Sequence, residues 1–168
     1  LVLFDARWDF KYLGMQIMVE GLAMAAFSNL YQMTTEPLLE SLIHHVMRDE
    51  SRHVAFGVLS LRGYYDEMPE HELRDREDFL IESSLLMRDR LVGDVVADVV
   101  GFDRGEVRQL ILESPLMQGF RQGLFARVVP NIKRLGLLTP RVREEFERIG
   151  ILQFESLDPE AADRALGL

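Results

Sequence analysis

Apolar residues recur at steps of three and four along most of the chain, the spacing of one face of an α-helix, and no alternating run is long enough for a strand. The pattern predicts an all-α protein. A first helix is expected over residues 5–31, with the stripe Leu13, Ile17, Glu20, Met24, Phe27 and Tyr31. Met33-Thr34-Thr35 reads as a turn, with Thr34 or Thr35 as cap and Pro37 in the next first turn. The second helix is expected over 36–65, with the stripe Leu39, Ile43, Val46, Glu50, His53, Gly57 and Ser60. So short a link makes the two helices antiparallel neighbours. After 66–69, a third helix is predicted over 70–100, stopped by Gly101. Its apolar face includes Leu80, Leu85, Leu91, Val92, Val95 and Val96, and residues 74–78 read as a charged solvent face. Asp103 and Glu106 form a capping box for a short helix to Glu113. Ser114-Pro115 opens another to Val129, ended by Pro130, and Thr139-Pro140 opens the last, stopped by Gly150. The tail 151–168 is expected to anchor through Ile151, Leu152 and Phe154 and to fray at its tip.

Polar groups interrupt both long stripes at their centres. A carboxylate in an apolar seam is costly unless protonated, paired or bound to a cation. For Glu20 the plainer reading is a side chain that reaches the edge of the stripe or meets an arginine. Glu50 and His53, in the run Arg48-Asp49-Glu50-Ser51-Arg52-His53, are three apart and share a helix face. A carboxylate and an imidazole so placed can ligate one metal, although the spacing also arises by chance. The register of the two helices adds weight. Glu20 lies 13 residues before Met33 and Glu50 lies 15 after Thr35, an axial mismatch of only about 3 Å at ~1.5 Å per residue. Glu20, Glu50 and His53 are therefore the candidate metal ligands. Asp49 is a candidate acceptor orienting a metal-bound histidine of another helix, or else a solvated partner of Arg48 or Arg52. Those two arginines read as an exposed or interhelical ion-pair row. His44 and His45 lie off the Glu50/His53 line and are expected to play ordinary hydrogen-bonding or surface roles. Met24, Phe27 and Val46 could line an apolar pocket, or simply be core.

Composition narrows the field. The 168 residues suffice for one domain with a real core, and with 48% apolar and 28% charged residues the chain is globular. The absence of cysteine excludes disulfide scaffolds, thiolate metal sites and a Cys nucleophile, and fits a cytoplasmic setting. A net charge of −9 argues against nucleic acid as a partner. No apolar run is expected to reach the length of a membrane span, and no signal peptide is visible. Leu1 opens in mid-pattern, so the chain reads as a single helical domain cut from a longer one. Residues 5–65 form its core pair and 69–168 an extension.

Val19-Glu20-Gly21, followed about thirty residues on by Arg48-Asp49-Glu50-Ser51-Arg52-His53-Val54-Ala55-Phe56-Gly57, resembles the ferritin-like di-iron carboxylate superfamily. This group includes the small subunit of class I ribonucleotide reductase and several oxygenases. The resemblance covers roughly residues 5–65. It implies a helical bundle, with Glu20 bridging or terminal, Glu50 bridging, His53 terminal and Asp49 behind the histidine of the other helix pair. It also implies two irons per complete site, with manganese as the alternative metal, and dioxygen plus a small-molecule substrate as partners. The activity implied is that of a di-iron oxidoreductase or oxygenase. A ferroxidase or iron store, and a metal-free helical scaffold, are the competing readings. The chain departs from the pattern in carrying only one lone Glu and one Glu-x-x-His. A missing upstream helix pair or a homodimer could supply the rest. Val46 stands where some N-oxygenases carry an extra histidine.

Overall fold

The computed structural model describes residues 5–90 and 94–168, and every regular element among them is helical. Helix α1 (Trp8–Met33) and helix α2 (Pro37–Leu61) are joined by three residues and pack together along their length. There follow α3 (Glu70–Arg90), α4 (Asp94–Val100), α5 (Arg104–Glu113), α6 (Pro115–Arg134) and α7 (Pro140–Arg148). A 3₁₀ turn at Leu152–Phe154 leads to the short α8 (Ala161–Ala165). Leu1, Leu91 and Val92, and the side chains of Val95 and Val96, lie outside the described residues.

The main core joins α1 to α3, α6 and α7 through Leu13, Ile17, Leu80, Leu124, Val128 and Phe146. Each such side chain contributes about 1.5–3 kcal/mol by leaving water. A smaller cluster of Met24, Ile43 and Met47 lies between α1 and α2, covered by Phe27, Tyr31, Leu166 and Leu168. The tip of the chain therefore docks onto this cluster, where fraying was expected.

Several other expectations are corrected. Helix α2 is capped by Glu36, whose carboxylate accepts from the Leu39 amide at 2.7 Å; Thr34 instead receives the amide of Glu36. Helix α6 runs through Pro130 to Arg134. A mid-helix proline costs about 3 kcal/mol, and here the burial of Leu124, Phe125, Val128, Val129 and Ile132 around it offsets that cost. The supposed solvent face of α3 contains two buried charges, Arg76 and Glu77. Arg76 is 2% and Asp9 1% exposed, and they share two hydrogen bonds of 2.9 and 3.1 Å that pin α1 to α3. Glu77 accepts from Thr139 and Arg141 at the start of α7. Finally, the 26 residues of α1 are long and apolar enough to cross a membrane by length and composition. In this fold α1 is the central helix, packed against α2 and α6.

Candidate metal centre

The middle of α1 is not an ordinary α-helix. Residues Leu13–Val19 form a π-helical stretch, and the Glu20 amide donates to the Met15 carbonyl, five residues back. Such wide turns are rare and are frequently found at functional sites. The wide turn brings residues five apart into line, so Met18 is buried beside Leu13 and Ile17 although it lies off the 3.6-residue stripe. Glu20 is the first residue after this stretch. On the facing helix, Gly57 allows close approach. A Cβ there would lie 2.4 Å from the Cβ of Gln16, within the π stretch. The sequence pattern gave no sign of the π turn, because a period-3.6 reading has no place for an extra residue.

The three predicted ligands come together. His53 Nδ1 lies 3.2 Å from Glu50 Oε2 and 3.6 Å from Glu20 Oε1. One ligand atom from each residue falls within 4.8 Å of the other two. Among the described residues no other trio of acidic and histidine side chains converges in this way. Glu20 is 15% exposed, Glu50 24% and His53 59%, so the trio sits at the edge of the α1–α2 seam and opens to solvent on the histidine side. This differs from a fully apolar interior. The buried line of α2 is Ile43, Met47, Gly57 and Leu61. Ile43 and Gly57 belong to the predicted stripe, whereas its Leu39 and His53 face outward.

The electrostatics of the trio are unbalanced. Glu20 Oε2 is buried and has no hydrogen-bond partner. Burial pushes the Glu20 carboxyl up to about 6; the nearby His53 lowers it and the Glu50 charge raises it further. Two carboxylates and a single imidazole proton cannot satisfy one another, because the Nδ1–H can serve only one acceptor well. Oxygen and imidazole donors without thiolate suit a borderline divalent cation such as iron, manganese or zinc. The residues present thus fit a metal ion, and the orphaned Glu20 oxygen is the observation that says so.

The other candidate residues lie elsewhere. Asp49 is exposed and bonded to Arg52 at 3.1 Å, the solvated alternative. His44 donates from Nε2 to the Leu166 carbonyl oxygen at 3.0 Å, and His45 is exposed. Met24 is core, Phe27 packs on the same cluster and Val46 is half-buried. Exposed apolar side chains are scattered along the outer side of α2. Leu42 and Phe56, on the same side of α2 as His53, are more than half exposed, as is Leu38 one turn earlier. No protein-family model matches the chain, and comparison with curated proteins and with solved structures finds no match.

Proposed function

We propose that this chain supplies one half of a ferritin-like di-iron centre in an oxidoreductase that activates dioxygen on a small organic substrate. The observation that carries the reading is the convergence of Glu20, Glu50 and His53, with a buried Glu20 oxygen left without a partner beside a π-helical turn. Glu20, Glu50 and His53 would hold the metal, and an iron pair, when bound, would supply two-electron reduction of dioxygen. The chain's own contribution is binding and positioning. Glu50 and Glu20 present two anionic oxygens from opposite helices, and His53 closes the third side. The π stretch fixes where the Glu20 carboxylate falls. The packing of Gly57 on Gln16 holds the two helices at that separation.

A complete centre of this class takes a Glu from each of two helices and a Glu-x-x-His from each of two more. This chain offers one of each, so a second helix pair, from the same polypeptide or from a second copy, would cover the trio. Anaerobic dialysis against Fe(II), followed by metal analysis, tests the reading. The protein should retain iron, and Glu50→Ala with His53→Ala should lose it while keeping the helical circular dichroism of the parent. A parent that retains no iron and melts identically with chelator would overturn the proposal. That result would favour a metal-free scaffold, in which the three side chains only bond one another.

A further inference from the structure

On the other side of α2 lies a cavity of about 810 Å³, walled by α2, α6 and the C-terminal segment, with Met24 of α1 in its lining. None of Glu20, Glu50 or His53 lines it. Its size is that of a small-molecule pocket. Its chemistry is one-sided: six arginines line it against two carboxylates, Glu160 and Asp163.

Most of these arginines are already engaged. Arg127 is paired with Asp163, Arg134 with Glu160 at 2.6 Å, Arg164 with Asp158, and Arg52 with Asp49. Two are left over. Arg62, exposed at the end of α2, makes no ion pair among the described residues. Arg48 is half-buried, makes no ion pair either, and its Nε is fully buried with no hydrogen-bond partner. That Nε is closed off from the cavity, so the terminal amines of this always-charged guanidinium, which are not closed off, are the donors that can meet a bound acceptor. The α2 wall beyond Arg48 also carries apolar side chains, Val54, Val58 and Leu59.

We propose that this cavity binds a small organic anion, a carboxylate or phosphate head on an apolar body, with Arg48 as the receiving cation. Planar guanidinium forks match both kinds of oxyanion, and the aliphatic wall takes the body of the ligand. The site is separate from the metal trio, and it stands whether or not the metal reading holds. Arg48 and Glu50 are two residues apart on one helix, so α2 would carry a cation ligand site on one side and an anion site on the other.

Titration calorimetry with three probes tests this: octanoate, octyl phosphate and inorganic phosphate. One or both of the octyl probes should bind saturably and raise the melting temperature, and which of them binds more tightly identifies the head group. Arg48→Met should weaken binding at least about tenfold, the scale of one lost charge-assisted hydrogen bond. Arg48→Lys, which keeps the charge but not the planar fork, should weaken it less than Arg48→Met and covers the case in which the Met variant unfolds. Glu160→Gln, by removing a competing carboxylate, should tighten it. Arg74→Met, far from the cavity and paired with Glu70, should change nothing. Saturable binding by neither octyl probe, or binding that survives Arg48→Met undiminished, overturns the proposal. Equal affinity for inorganic phosphate would overturn its apolar half.

Discussion

Glu20→Gln should make the metal-free protein more stable at neutral pH and at the same time abolish its response to metal. Burial raises the Glu20 carboxyl from the usual 4.5 to about 6 in the fold. Because the folded-state value is the higher one, the folded chain holds the proton over a range where the unfolded chain has released it. Stability is therefore undiminished below about 4.5 and falls as pH rises through about 6. A shift of that size has a ceiling of about 2 kcal/mol, and water reaching the trio past the exposed His53 reduces it to on the order of 1 kcal/mol. Urea unfolding in chelator, repeated from pH 4.5 to 8, should show the parent losing about that much across the acid range while Glu20→Gln stays flat. Added Mn(II) at a hundred times its dissociation constant should return about 2.7 kcal/mol to the parent and far less to the variant. A Gln variant that is less stable than the parent at pH 7.5 in chelator, or that keeps the full metal-induced shift, would refute the reasoning.

Three further outcomes follow from the packing. Asp9→Ala strands the buried Arg76 guanidinium and should cost about 3–5 kcal/mol by urea unfolding, whereas Asp9→Leu with Arg76→Met should recover most of it; a loss under 1 kcal/mol for the single variant contradicts the burial of the pair. Gly57→Ala gains about 1 kcal/mol of helix propensity but drives a methyl into Gln16, and should lose about 1–3 kcal/mol to overpacking and weaken metal retention; a net stabilisation would mean the helices are free to part. His44→Ala should loosen the tail, read as faster amide exchange at Leu166 and Leu168, with iron retention unchanged; coupled loss of metal would place His44 in the centre after all.

The helical class, the antiparallel pair and the meeting of Glu20 with Glu50 and His53 were legible in the sequence, because a rise of 1.5 Å per residue and a three-residue link leave little freedom in the register. What escaped it has identifiable causes. The π stretch adds a residue that no periodic template allows for. Arg76 stands in a run of charges that looks solvated, and only its distant partner Asp9 makes it a core residue. Pro130 is a local stop signal overridden by the residues packed around it. Arg48 reads as surface because the wall that encloses it comes from residues 159–168, more than a hundred positions away.

The wide turn ahead of Glu20 makes the position of that carboxylate depend on backbone pitch as well as on its own torsions. Should residues 13–19 tighten to α geometry at constant length, every side chain beyond them would swing by about one residue's rotation, ~100°. The acid would then leave His53 without α2 moving at all. Deleting a single residue in that stretch would restore the tighter coil and keep the acid in place, so the tolerance of this segment to deletion and its intolerance of straightening are two readings of the same surplus residue.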